Sequence, residues 1–377
     1  RLRETRDMWE LYRAAGQLGE DLPEAIELLT GAARPLLERW FESEVLRATL
    51  ATDAIIGAFS SISAAGTAYV LLHHVMGRAT GERGVWGYVQ GGMGGLADAL
   101  EASCKELRVE IVRECEVLKI LVESGRVAGV AVDGGRTIKA ATVASSIDAN
   151  WTFRRLVDES ELPTEFTQAI DRIDYSSASA KINLALGEIP RFRSESADQV
   201  GPEHQGTIHI SPTLDYIEQA YADARQGRPS DQPVMEVTIP TSLDTTIAPE
   251  GKHLMSIFVQ YAPYQLQKEN WDDIKEDFAD RCIELLGRYA PNLPGAVEHR
   301  QILSPLDLER TFRLTGGNIF QGAMNLNQLF CFRPVAGWAD HRSPVKGLYL
   351  CGAASHPGGG VMGACGRNAA QAILEDL

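Results

Sequence analysis

Apolar residues at positions 22–41 recur at three- and four-residue spacing through Ile26, Leu28, Leu29, Leu36, Leu37, Trp40 and Phe41. That spacing predicts helices with a broad buried stripe, entered at Leu22, Pro23 and Glu24, where a proline suits the first turn. Residues 1–13 show helical spacing too, through Leu2, Met8, Trp9 and Leu11. Residues 44–76 continue the helical pattern but carry Gly57, Ser60, Ser61, Ser63, Ala64, Ala65 and Gly66 at their middle. Small residues there suit a turn between packed helices, or a wall of a substrate cavity.

The period changes at residue 85. WGYV at 86–89 reads as a short strand, QGGMGG at 90–95 as a turn, residues 96–107 as a helix and 109–112 as a second strand, together a βα unit. Residues 117–122 and 127–132 then form a hairpin around ESGR at 123–126, and DGGR at 133–136 turns into another strand ending near Ser145. Helix returns over 151–170, and residues 178–186, 207–211, 234–239 and 253–260 alternate as strands of an antiparallel sheet. A helix over 271–289 is stopped by Pro291 and Pro294. The chain closes with strand 347–352, a small-residue turn 353–360 and helix 361–377, a geometry that offers open backbone N–H groups and a positive dipole end to an anion.

Composition narrows the class without naming the chemistry. With 377 residues, 44% hydrophobic and 23% charged, the chain has material for two compact bodies or one large domain with an insertion. A net charge of −15 argues against nucleic acid as a partner, because a phosphate-tracking surface needs clustered Lys and Arg. No apolar run reaches the roughly 18–20 residues that span a bilayer. The six cysteines show no C-x-x-C spacing, which argues against thiol redox chemistry and a zinc site and suits a reducing compartment, the cytoplasm or an organelle matrix.

Two segments match the dinucleotide fingerprint G-x-G-x-x-G/A: Gly92, Gly94 and Ala97, and Gly358, Gly360 and Gly363. The second cannot be a complete Rossmann unit, since its helix ends the chain and no strand follows to carry a ribose-binding carboxylate. The first has residues 109–112 after its helix and Glu110, Glu114 and Glu116 at suitable distance, but its leading strand is short and broken by Gly87.

The stretches FESEVLR at 41–47, GYVQGGMG at 87–94, PLDLE at 305–309, GGNIF at 316–320, GLYLCG at 347–352 and HPGGGVMG at 356–363 are together far more specific. From about residue 41 to 377 the chain resembles the phytoene desaturase and carotenoid isomerase-like branch of FAD-dependent, amine-oxidase-type flavoproteins. Within it, the pyridine nucleotide-disulfide oxidoreductase domain-containing protein 2 group is nearest. The resemblance implies an α/β (α+β) fold in which an amine-oxidase-like FAD domain adjoins a substrate domain of antiparallel sheet and helices. Residues 1–84 would then be the helical part of the substrate domain, 85–150 the return segment of the FAD domain, 151–340 the remaining substrate domain and 341–377 the C-terminal strand, turn and helix of the FAD domain. Relatives carry an N-terminal βαβ unit with the FAD fingerprint. This chain has none before its first helices, so the expectation is a C-terminal portion of a longer flavoprotein, inactive alone and without tight FAD binding of its own.

On the same resemblance, Gly352, Ala353, His356, Gly359, Gly360, Val361, Met362 and Gly363 are the expected FAD contacts, with Val117 on the ribbon as a backbone contact to the adenine. Many relatives have an acidic residue where Ala353 stands. Gly316, Gly317, Asn318 and Phe320 are expected beside the substrate cavity. The implied activity is hydride transfer between a small apolar, unsaturated or lipid-like substrate and the flavin, with no catalytic acid or base and no oligomeric state specified. A scaffold module on the same fold and an NAD-dependent dehydrogenase using residues 92–97 are the competing readings.

Overall fold

The computed structural model describes Trp9, residues 12–194 and residues 199–377, so most of the helical spacing in residues 1–13 lies outside the described residues. The chain divides into two compact units. The first comprises residues up to Ile56, Ser60–Val85 and Ser211–Glu218, and the second Gly57–Phe59, Trp86–Ile210 and Gln219–Leu377.

The first unit is helical: α1 (Leu22–Thr30), α2 (Ala33–Trp40), α3 (Glu44–Asp53) and α4 (Thr67–Val75) are followed by a two-stranded hairpin of β1 (Arg78–Ala79) and β2 (Glu82–Arg83). The stripe read over 22–41 is split at Gly31, whose N–H caps α1 by donating to Glu27 O at 2.6 Å. Leu36 and Leu37 of α2 pack into a core with Ala48, Ala51, Ile55, Ile62 and Val70. Thr67 ties α4 to the preceding loop: its hydroxyl accepts from Ala33 N and donates to Ala64 O. The small residues at 57–66 lie in the turn between α3 and α4.

The second unit starts with α5 (Met93–Glu106) and a ribbon of β3 (Val117–Glu123), β4 (Arg126–Val132) and β5 (Arg136–Lys139), all antiparallel. The strand expected to end near Ser145 breaks after Lys139, and its second part, β6 (Val143–Ser145), belongs to another sheet. Neither strand of the expected βα unit forms. Among the described residues, 86–89 and 109–112 do not form strands, and Leu107, Val109 and Val112 are exposed. Without those strands, residues 92–97 do not open a Rossmann unit, and the dehydrogenase alternative loses its structural basis.

Residues 151–170 are less regular than predicted: a π-helical turn, Trp151–Leu156, precedes α6 (Thr164–Asp171). The main sheet contains β7 (Ser179–Leu186), β8 (Ile208–Ile210), β9 (Val234–Thr238), β10 (His253–Gln260) and β11 (Val297–Leu303), in the order β11-β7-β10-β9-β8. Every neighbouring pair is antiparallel. Alternation decides its faces: Ala180, Ile182, Leu184 and Leu186 of β7 are buried, while Lys181, Asn183 and Ala185 between them are half-buried. The buried face packs on α7 (Trp271–Gly287) through Phe278, Cys282 and Leu286, the phenylalanine and leucine contributing about 1.5–3 kcal/mol each. After α8 (Pro305–Phe312), β12 (Leu348–Leu350) pairs parallel with β6, and α9 (Ala364–Asp376) ends the chain. Among the described residues, no helix is long and apolar enough to cross a membrane.

Candidate flavin-facing site

β12 delivers the chain into the glycine-rich turn. Cys351 N donates to Ser145 O at 2.8 Å, and a Cβ on Gly352 would overlap Ser146 O, so only glycine lets the two backbones approach this closely. Ser355 closes the turn, its N–H and its hydroxyl both donating to Gly352 O at 3.0 and 2.8 Å. Gly358 and Gly360 take φ of 111° and 146°, and Gly363, at φ 68°, caps α9. The helix therefore begins three residues later than the pattern predicted. Val361 and Met362 sit in the turn before it, Val361 being 80% exposed.

The loop 315–323 is built around Asn318, which is fully buried. Its Oδ1 accepts from Phe320 N and Gly322 N at 3.0 and 3.1 Å, and its Nδ2 donates to Ser176 O at 2.8 Å. Gly316 (φ 63°) and Gly317 (φ 65°) allow the turn: a Cβ on either would press on the backbone oxygen of Tyr175 or Pro305. Thr315 N donates to Asp148 Oδ2 and Gly316 N to Glu309 Oε1, each at 2.8 Å. Burial raises the Asp148 pKa, and the N–H groups of Trp151 and Thr315 oppose that rise.

These two segments form one structure. The Phe320 ring packs against Gly359 so tightly that a Cβ there would overlap Cδ1, and a Cβ on Gly57 would lie 2.7 Å from Cε2. Gln321 spans the same gap, accepting from Ala354 N at 3.0 Å and donating to Ser146 O at 3.1 Å. Arg333, buried to 2% exposure, holds both sides: Nε donates to Ala353 O, Nη1 to Ala323 O and Gln328 O, and Nη2 to Phe320 O and Gly322 O. A planar guanidinium is the side chain whose fork can serve several fixed carbonyls at once.

The expected residues are thus distributed. Gly359 lies against Phe320, Gly352 against Ser146, and Ala353 is held by Arg333, whereas Gly316, Gly317 and Asn318 shape the loop that carries Phe320. Ala353 offers its carbonyl to Arg333, a contact that needs no acidic side chain. Val117 pairs with Val132, at the opposite end of the ribbon from Val127, whose N–H joins β4 to Lys346 O. Arg333, Gln321 and Asp148 were not predicted. The available signals were a single arginine between apolar residues in FCFRPV and an aspartate two residues after the Ser145–Ser146 strand end.

His356 is half-buried with its ring 6.4 Å from that of Phe330, and burial, then His341 and Arg333, hold its pKa below the ordinary imidazole value. Its Nδ1 is enclosed without a hydrogen-bond partner among the described residues. A buried polar atom in that state requires a partner worth about 1–3 kcal/mol. Gly363 has open space where a Cβ would stand, and the first N–H groups of α9 lie behind it. An enclosed nitrogen, an unobstructed helix start and a glycine turn fit the polar edge of a flavin. Among the described residues no group of side chains could hold a metal. Burial raises the thiols of Cys351 and Cys282, the latter to about 12, away from reactivity.

Comparison with known proteins identifies the family and the fold. Residues 2–374 match the family profile of flavin containing amine oxidoreductases. The rat protein named pyridine nucleotide-disulfide oxidoreductase domain-containing protein 2 is 46% identical over 385 residues, covering 100% of this chain and 66% of its own length. A zeta-carotene-forming phytoene desaturase of Myxococcus xanthus is 26% identical, over 86% of this chain and 58% of its own. The cyclohexylamine oxidase structure from Brevibacterium oxydans superposes with a TM-score of 0.55 at 15% identity, over 98% of this chain and 75% of that one, showing a shared amine-oxidase-like fold. The chain thus spans just under two thirds of the rat relative's length. The chain belongs to the flavin containing amine oxidoreductase family.

Proposed function

We propose that this chain carries the ring-facing and substrate-facing portion of an FAD-dependent oxidoreductase that takes a hydride from an elongated, mainly apolar substrate. The observation that carries this reading is the packing of Phe320 on Gly359, backed by Arg333, which makes the substrate-side loop and the glycine turn one rigid wall. FAD supplies the hydride acceptor; every other contribution is positional. His356 Nδ1 is available to hydrogen-bond the cofactor's polar edge, and the turn 358–363 lets that edge approach backbone N–H groups. The N-terminus of α9 favours negative charge nearby by about 0.3–1 kcal/mol, which shifts a bound flavin towards its reduced form. Phe320 excludes water from the wall behind the ring. The relatives that are phytoene desaturases support an unsaturated apolar substrate.

The full-length protein that carries these residues, purified with FAD and treated with dithionite, tests the reading. Stoichiometric flavin absorbance that bleaches and returns in air supports it. A protein that stays colourless and silent to FAD favours a scaffold role instead.

A further inference from the structure

We propose that Gln321 is a positioning residue for the glycine turn, fixing the peptide between Ala353 and Ala354 and through it the surface that the turn presents to a flavin. This rests on the reading above, in which the cofactor lies against residues 352–363, and names the group that sets their geometry. The backbone of Gln321 is the first sign. Four residues of the loop 315–323 have positive φ, and three of them, Gly316, Gly317 and Gly322, are glycines. Gln321, at φ 59°, is the fourth. The loop imposes that conformation: Asn318 O accepts from Gln321 N at 3.0 Å, while Asn318 Oδ1 accepts from the N–H groups on either side, those of Phe320 and Gly322. A left-handed backbone is free for glycine and unfavourable for a residue with a Cβ. A glutamine in that place is explained by what its side chain does.

That side chain joins three segments. Its Oε1 accepts from Ala354 N at 3.0 Å, in the glycine turn, and its Nε2 donates to Ser146 O at 3.1 Å, just beyond β6. Ala354 is buried, so its N–H depends on a protein acceptor. Ser146 O is also the atom that a Cβ on Gly352 would strike, which puts the Gln321 amide beside the point where the turn leaves β12.

Both poles of one peptide are thereby held. The Ala353 carbonyl accepts from Arg333 Nε at 2.9 Å, and the N–H of the same peptide, on Ala354, donates to Gln321. In a planar trans peptide these two groups point in opposite directions, so the pair fixes the plane against rotation. Arg333 alone does not, because a single bond to the carbonyl leaves the plane free to tilt about it. The two clamps are tied to each other: Arg333 Nη2 donates to Phe320 O and Gly322 O, the carbonyls on either side of Gln321. Gly352 O, one peptide earlier, is taken by the N–H and hydroxyl of Ser355. The orientation of the turn therefore depends on one amide side chain reaching across from the loop 315–323.

Titration with FAD of the full-length protein that carries these residues tests the assignment, in wild type and three variants. Gln321→Met keeps the length and the backbone strain but serves neither Ala354 N nor Ser146 O, and is expected to weaken FAD binding at least about tenfold. Gln321→Gly relieves the strain and loses the same two contacts, so its binding should fall as far. A side chain present for the fold alone would leave Gln321→Gly at wild-type affinity. Gln321→Glu keeps an acceptor for Ala354 N and should recover binding to within about threefold of wild type. Wild-type affinity in Gln321→Met or in Gln321→Gly, or no recovery in Gln321→Glu, would each overturn the proposal. If Gln321→Met does not fold, the contrast between Gln321→Gly and Gln321→Glu carries the same test. A wild type that binds no FAD removes the oxidoreductase reading and this proposal with it, whereas wild-type binding that the variants leave unchanged removes the proposal alone.

Discussion

The Phe320 ring lies against the α-carbon of Gly359 with no room for a methyl group between them. One residue comes from the loop 315–323 and the other from the glycine turn, so this contact sets how far apart the two can be.

Gly359→Ala therefore forces Phe320 out of its rotamer or lifts the turn, at a cost of about 1–3 kcal/mol. Chemical denaturation measures the loss. Phe320→Leu should restore part of it in the double variant, because two residues in contact couple in a mutant cycle.

Arg333 donates to five carbonyl oxygens drawn from residues 320–323, 328 and 353. Arg333→Met leaves those acceptors enclosed and is expected to lower stability by about 3 kcal/mol or more. Arg333→Lys should recover little, because an ammonium cannot serve five oxygens in a fixed plane. Thermal unfolding of both variants checks this, and full rescue by lysine would show that charge alone suffices.

In the helical unit, burial raises Asp53 to about 6 and lowers His74 to about 4. The signs oppose. An aspartate raised from 3.8 favours the folded state below pH 4 and loses that contribution as pH rises towards 6. A histidine lowered from 6.5 favours the folded state above pH 6.5 and loses it as pH falls towards 4. In wild type the two slopes offset across this window. Asp53→Asn should uncover a protein that weakens from pH 6.5 to 4, and His74→Gln one that strengthens on acidification from pH 6 to 4. Unfolding midpoints across that range separate them; parallel curves for the two variants would refute the assignment.

The legible part of the fold was the part with a strict period. β7, β9, β10 and α7 were readable because one face of each meets a single core, so alternation or helical spacing survives in the residues themselves. β11 escaped notice because it reads VEHRQIL at a sheet edge, where four consecutive side chains of its seven are polar or charged with no alternation. Residues 109–112 have the composition of a strand but no partner to pair with among the described residues, and composition alone does not form a ladder. The glycines of the site stood out as a motif. Arg333 did not, since its role depends on five carbonyls that converge only in three dimensions.

The most direct measurement is a titration with FAD of the full-length protein that carries these residues, followed by quenching of flavin fluorescence, for wild type and Gly359→Val. A flavin docked against residues 352–363 predicts saturable quenching in wild type that is lost in the variant. No saturable quenching in wild type, or identical curves for the two proteins, would contradict it.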